Sequence, residues 1–565
     1  MNKFFLKLVS FFYPLLERTG VNIEQLNEIL RIKLLLDSRR PTTLFNQKQR
    51  KAKNGKVSSS WGISFFMVLM GLFLGFILMG FDQPLLGQTI YFFIFMVLLS
   101  LTMISDFTTV LLDTRDQYII LPRPVDDRTM AVSRIMHIGL YVFKLAMLQG
   151  LPAVILIGFK DGLLAVPLLF VQIIEATFFT VFMVNLIYLV LMRLVTPERF
   201  KGIISYFQIA FSVIIFGSYY LLPRLIDIRE LAHFRVLDHA WAYALPPVWI
   251  GALNEVLIHP ERSNIVTSLL AIAGLTVPLL GLWLVAKVLA PGFNKRLAVA
   301  ATSDDNHQQR PVIPGKAVKS DFRDKMANLL APHPAENAGF KITWKMAARM
   351  REFKIKVYPA FAYVPIYFLY FALNHKTGDV SNRFSSLRGS SNYILLIYLC
   401  TFVISVFLQN VSYSDKFKAS WVYYALPVRQ PGRVLSGMFK AVVSIYYFPF
   451  FLVVSIGIMA IWGPKAINDI ILAFFISLIY GILLSLFLIK GLPFSKPVLL
   501  KQSGGRIINS LLITSFIAVA GFGHYFLMRW EIVIWILILP AAGICWLMIN
   551  QYSKQGWDAI EMEDL

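Results

Sequence analysis

The sequence predicts an all-α, polytopic membrane protein with about twelve transmembrane helices in two six-helix pseudo-repeats. Three observations carry this reading. Of 565 residues, 57% are hydrophobic and only 15% charged, with a mean hydropathy of +0.64. Long apolar runs recur along the chain, and one charged loop recurs without gaps at an offset of 303 residues. A soluble globular chain is closer to about half apolar and a quarter charged. The 47 Phe, 23 Tyr and 11 Trp also exclude a solvated, disordered chain.

A helix crosses the hydrocarbon core with about 20 apolar residues, because its backbone polar groups must be satisfied internally. Six such spans are predicted at 61–80, 89–110, 135–159, 163–195, 203–223 and 265–289. Six more are predicted at 357–373, 392–410, 437–461, 468–489, 507–528 and 532–549. The chain thus divides into an N-terminal segment (1–60), a first transmembrane half (61–289), a linker (290–356), a second half (357–549) and a tail (550–565). The fourth span is long enough to project beyond the bilayer.

Orientation follows from lysine and arginine. With both termini inside, 41 of the 54 basic residues fall in cytoplasmic segments. The net charge of +22 then reports orientation and contact with lipid headgroups. The linker's 13 basic residues accompany no recognisable nucleic-acid module, so no nucleic-acid partner is expected. Met1 to Glu17 carries Lys3 and Lys7 within its apolar stretch and no small-residue cleavage site follows, so no signal peptide is expected.

Each half opens on an amphipathic stretch, LNEILRIKLLLDSRRP (26–41) and ITWKMAARMREFKIKVYP (342–359), which reads as an interfacial helix or as an ordinary solvated one. After the second span of each half, RDQYIILPRPVDDRTMAVSR (115–134) aligns with KASWVYYALPVRQPGRVLSG (418–437). Tyr118 meets Trp421, Pro124 meets Pro427, and Ser133 meets Ser436. Proline stops a helix, so each copy reads as a short helix along the cytoplasmic face, a break, and re-entry.

Catalytic signatures are missing. No G-x-x-x-x-G-K-[ST] phosphate loop, H-E-x-x-H or G-x-S-x-G occurs, and Cys400 and Cys545 lie in separate apolar runs. The chain is therefore expected to be no enzyme and to bind no cofactor directly. Ionisable residues inside spans are expensive and are functional candidates by default. Asp106, Lys144 and Glu175 qualify, Lys144 with Asp106 or Glu175 as a possible partner. Between the fifth and sixth spans, YALPPVWIGAL (243–253) reads as a short interfacial helix capping the outer end, without counterpart in the second half.

The interfacial helices, the LPRPV (121–125) and ALPV (425–428) loops and the outer ALPPVWIGAL together resemble the membrane subunit of an ATP-binding-cassette exporter of the type-2 permease class. The resemblance covers nearly all of 20–550 in topology, through short motifs. It implies a coupling helix after the second span of each half that docks on an ATPase. Carried to this sequence, the docking elements are Asp113 to Asp127, with Arg115, Asp116, Tyr118, Pro122, Pro124 and Asp126, and Asp415 to Arg429, with Trp421 and Pro427. Most such permeases have six spans and dimerise. Here the fused halves would sit on two copies of a separate ATP-binding-cassette ATPase that binds ATP and Mg²⁺, in the cytoplasmic membrane of a bacterium. The rival expectation is an ion-coupled secondary transporter with twelve transmembrane helices, dependent on Glu175.

Overall fold

The computed structural model describes all residues except 1–5, 8, 11, 12, 19, 40–59, 111–123, 196, 226–233, 285–321, 374–387, 415, 427, 490, 498–505 and 561–565. The described residues are overwhelmingly helical and contain no strand, only an isolated bridge between Tyr413 and Lys496. The all-α polytopic architecture is therefore present. The chain folds as two compact units, Met1–Ile204 with Ile228–Arg310, and Ser205–Asp227 with Pro311–Leu565.

The first unit contains α1 (Ile23–Arg39), α2 (Ser60–Met79), α3 (Pro84–Val110), α4 (Asp127–Lys160) and α5 (Ala165–Leu194). It also holds the start of α6 (Pro197–Leu225), then α7 (Pro246–Ile258) and α8 (Ile265–Leu284). Prolines open α3, α6 and α7, where the missing N–H costs nothing. α2 packs along α4 through Gly71 and Gly75: a Cβ at Gly71 would meet the Gln149 carbonyl, and one at Gly75 the Leu156 side chain. Lipid supplies no hydrophobic drive between helices, so such close approach of small residues is what holds them. Tyr91, Phe92, Phe95 and Leu99 of α3 fill the core beside this contact.

The second unit carries most of α6 and then α9 (Phe322–Leu330), α10 (Pro334–Arg349), α11 (Arg351–Val357), α12 (Tyr363–Ala372) and α13 (Tyr393–Val411). There follow α14 (Trp421–Ala425), α15 (Pro431–Val442), α16 (Phe448–Trp462), α17 (Ile467–Leu488), α18 (Arg506–Leu527) and α19 (Glu531–Ser553). α13 is the central helix, with most of its residues from Tyr393 to Val411 buried against α12, α16, α17 and α18. A π turn, Val443–Tyr447, joins α15 to α16 just before Pro449, so the two read as one crossing. Within this unit, α6 is fixed by aromatic contacts: Phe216 meets Tyr363 at 4.3 Å between ring centroids, and Tyr220 meets Tyr367 at 4.9 Å. Arg224 donates to the Tyr370 hydroxyl at 2.7 Å.

Among the described residues nine helical stretches are long and apolar enough to cross a membrane, and each coincides with a predicted span. The other three predicted spans fall on α2, α8 and α18, whose described apolar stretches are Met67–Met79, Ile265–Gly281 and Ser515–Leu527. Outward faces are apolar, as on α19, where Ile532, Ile536, Leu539 and Trp546 are exposed. α5, with 30 residues, is about 45 Å long and exceeds the roughly 30 Å hydrocarbon core, as expected.

Two details differ from the sequence reading. The predicted interfacial helix 342–359 is broken at Met350 (φ −73°, ψ 113°). The amphipathic helix is α10, which begins earlier at Pro334, while the residues from Arg351 run into the next crossing. The helix predicted to cap the outer end is α7, and it is not peripheral: Pro247, Val248 and Ile250 through Glu255 are buried against α3, α5 and α8.

Candidate functional site

The two repeated loops end against the amphipathic helices. In the first unit Leu26, Leu30 and Leu34 of α1 are buried with Leu140 of α4, a spacing of four that makes one apolar face. The Gln25 side chain donates to the Pro124 carbonyl at 3.2 Å, and the Asn22 N–H to Thr129 Oγ1 at 3.1 Å. Pro124 and Asp126 are exposed where α4 starts. Asp127 is its first residue, with a side chain outside the described set. Asp113, Arg115, Asp116, Tyr118 and Pro122 lie outside the described residues.

The second loop is better defined, although Asp415 and Pro427 lie outside the described residues. A 3-10 turn, Phe417–Ser420, leads into α14, the chain turns extended at Leu426, and α15 begins at Pro431. A short helix, an extended break and a new helix thus follow one another here, in the predicted order. Trp421 (60% exposed), Val422 and Leu426 present apolar side chains outward, and Arg429 is exposed beside them.

The inner side of this loop is bolted down. Tyr423 donates to the Pro493 carbonyl at 3.2 Å, and burial raises its phenol above the ordinary tyrosine range. Trp557 Nε1 donates to the Val428 carbonyl at 2.9 Å, and the Gly432 N–H to Gln555 at 3.1 Å. The Ser414 N–H donates to Lys496 O at 2.9 Å, and the Lys496 N–H returns to Ser412 O at 2.8 Å. Phe494, packed on Phe353, adopts φ 55° to make that turn, a conformation costing roughly 1–2 kcal/mol for a non-glycine residue.

α10 crosses α15 directly behind the loop. Glu336 accepts from Ser436 Oγ at 2.6 Å and pairs with Lys440 at 2.7 Å. Lys440 also donates to the Leu330 carbonyl at 2.8 Å. The helices touch at Gly339 and Gly437, where a Cβ would collide with the carbonyl oxygens of Val434 and Glu336. The sequence announces α10 through His333 as N-cap, Pro334 at the first position and Glu336 in the first turn, a helix-start signature left unread.

A second set of polar groups lies within the first unit's bundle. Glu175 of α5 is buried, and among the described residues neither carboxylate oxygen has a hydrogen-bond partner. One turn away, Gln172 Nε2 donates to Gln88 Oε1 at 2.8 Å and to the Ile250 carbonyl at 2.7 Å, joining α5 to α3 and α7. Gln88 Nε2, Gln172 Oε1, the Tyr91 hydroxyl and both amide atoms of Asn254 likewise have no partner among the described residues. Farther along α5, Phe179 packs edge-on against Trp249 of α7 at 6.1 Å. Lys144 is half-buried on α4 and makes no ion pair with Glu175, whereas the Asp106 side chain lies outside the described set.

The second unit contains a polar cluster that the sequence reading missed. His524 Nε2 lies 3.0 Å from Asp469 Oδ1, Tyr393 donates to Asp469 Oδ2 at 2.7 Å, and the Tyr398 hydroxyl lies 3.0 Å from His524 Nδ1. All four residues are buried. Both imidazole nitrogens are engaged, so the histidine offers no free site for a reacting group. Among the described residues, no group of three or more His, Cys, Asp or Glu side chains could hold a metal ion. No family model matches this chain, and no curated protein or solved structure does either.

Proposed function

We propose that the chain is the membrane subunit of an ATP-binding-cassette exporter of the type-2 permease class. The observation that supports this most is shared by both units. The amphipathic helix preceding the first crossing packs on the start of the third, α1 on α4 and α10 on α15. In each unit the loop after the second crossing ends at that junction. A force applied to the loop is thereby delivered to two helices at once. In the second unit the loop offers exposed Trp421, Val422 and Leu426 outward while its inner side is held by Tyr423 and Trp557.

In this reading both termini are cytoplasmic, in a bacterial cell membrane, and each loop docks on one copy of a separate ATPase that binds ATP and Mg²⁺. The two loops act as levers, and the cargo is a hydrophobic or amphipathic molecule. Purification from native membranes in mild detergent tests the reading: two copies of an ATPase should co-elute. Replacing Pro124 and Pro427, or Tyr118 and Trp421, should uncouple ATP hydrolysis from transport while the protein stays in the membrane. Unchanged transport-linked hydrolysis with both loops disrupted sinks it.

A second reading has its own support. Buried Glu175 and the buried Asp469–His524 pair give an ion-coupled secondary transporter more titratable groups than the spans alone suggested. A purified chain that moves solute down a proton gradient, with no ATPase present, would replace the first reading.

A further inference from the structure

The Tyr393, Tyr398, Asp469 and His524 cluster joins three helices at one end of the second unit. Tyr393 is the first residue of α13, Asp469 the third of α17, and His524 lies in the last turn of α18. Among the described residues, no lysine or arginine pairs with any of the four. The Asp469 carboxylate lies in the first turn of α17, and among the described side chains the His524 imidazole is the one beside it that can bring a full positive charge. The other groups bearing on the cluster are Asn468, whose side chain accepts from the Asp469 N–H, Glu531 at the start of α19, and Cys400 and Tyr447 next to Tyr398.

Two protonation states satisfy the same distances. With neutral histidine, Nε2–H donates to Asp469 and Nδ1 accepts the Tyr398 hydroxyl proton, leaving the carboxylate's charge unbalanced in a buried site. With one proton added at Nδ1, that nitrogen donates to the Tyr398 oxygen, the Tyr398 proton turns to another acceptor, and the imidazolium balances Asp469. Histidine is the side chain that changes charge in the range of about pH 5 to 8. The Nε2–H bond to the carboxylate is charge-assisted in both states, and protonation adds the attraction between two opposite full charges in a buried site.

We propose that these four residues form a proton-binding site whose occupancy tightens the tie between α13, α17 and α18. The site belongs to one half only. At the offset of 303 the four positions fall on Ile90, Phe95, Val166 and Leu221, none of them titratable. Proton binding at this end of the bundle would thus bias the second unit alone, whether ATP or an ion gradient drives the chain.

The test is hydrogen exchange on the full chain in lipid nanodiscs at pH 5.5 and 8.5, corrected for the intrinsic pH dependence of exchange. The peptide covering the last turn of α18 should exchange about tenfold more slowly at the lower pH. His524→Gln keeps a side-chain amide for both partners but does not titrate, and should abolish the difference. Asp469→Asn removes the charge to be balanced and should do the same, which decides the matter if His524→Gln fails to insert. Equal corrected protection at the two pH values in the wild-type chain overturns the proposal. So does a pH difference that survives either substitution.

Discussion

Glu336 and Lys440 form an ion pair at 2.7 Å where α10 crosses α15, and Ser436 donates to the same carboxylate oxygen at 2.6 Å. Both charges are mostly shielded from solvent, with 11% and 27% of the side chains exposed. Glu336→Ala leaves Lys440 without its counter-charge and the buried Ser436 hydroxyl without its acceptor, so it should cost about 1.5–3 kcal/mol, the range for hydrogen bonds to charged groups. Ser436→Ala removes one neutral donor and should cost less. The double variant should fall short of the sum, because both changes act on one carboxylate. Thermal unfolding of the four proteins in nanodiscs measures all of this.

The same crossing is sensitive to volume. Gly437→Ala places a methyl group against the Glu336 carbonyl oxygen, a backbone atom that cannot swing away. Overpacking of this kind costs roughly 1–3 kcal/mol. Gly457→Ala, in α16 with nothing within 4 Å of the added carbon, is the control and should be neutral or stabilising by up to about 1 kcal/mol through helix propensity. If the two variants unfold at the same temperature, the close contact at Gly437 is not what holds α10 to α15.

The crossings were legible because an apolar run of membrane length has few alternatives, and the nine clearest helices lie where the runs predicted. The second loop was legible for a local reason, since Pro431 opens α15 and Leu426, where the chain turns extended after α14, precedes a proline in the sequence. What the sequence hid depends on residues far apart in the chain. Asp469 looks like a loop residue at a span edge, and His524 like an isolated histidine, because nothing periodic relates positions 55 apart. The break at Met350 was hidden for the opposite reason. Apolar and basic residues keep helical spacing on both sides of it, so pattern alone extends one helix through the bend. Burial of α7 was equally unreadable, as a 13-residue apolar helix suits an interface and a core alike.

Trp557 tests how the second loop is held. Its indole N–H bonds to the Val428 carbonyl, and its ring lies 5.7 Å from Tyr424. Trp557→Phe keeps most of the ring contact and loses the hydrogen bond, a change of about 0.5–1.5 kcal/mol. Trp557→Ala loses both. Backbone exchange across α14 should therefore rise modestly in the first variant and strongly in the second, while α13 stays protected. Uniform loosening of the whole unit would mean that the tail supports the fold rather than the loop.

Glu255 of α7 carries a pH signature with a defined sign. Burial raises its carboxyl above the usual range, and this outweighs the opposing effect of Arg262 and His259. A carboxyl raised by folding is bound to its proton more tightly in the folded than in the unfolded chain. Stability therefore falls as pH climbs from the ordinary carboxylate range through the raised value. Glu255→Gln should be indistinguishable from wild type at a pH below both values and more stable above them. Unfolding midpoints of the two proteins across that interval give the comparison; parallel curves would mean that the carboxyl is not perturbed.

Glu175 separates the two functional readings with one substitution. Among the described residues its buried carboxylate oxygens have no donor and no paired cation. An ionisable group held this way in hydrocarbon costs about 2.5–3.5 kcal/mol on insertion scales. Glu175→Gln removes the ionisable group and leaves the shape, so the variant should insert and fold at least as well as the parent. In a motor-driven exporter, ATP-dependent transport continues in this variant, because the energy enters through the loops. In an ion-coupled carrier, the same variant loses accumulation against a gradient while still exchanging solute across the membrane, because no group remains at position 175 to take up and release the coupling ion. Counterflow and uptake measured side by side in proteoliposomes, with and without the co-purified ATPase, distinguish these outcomes.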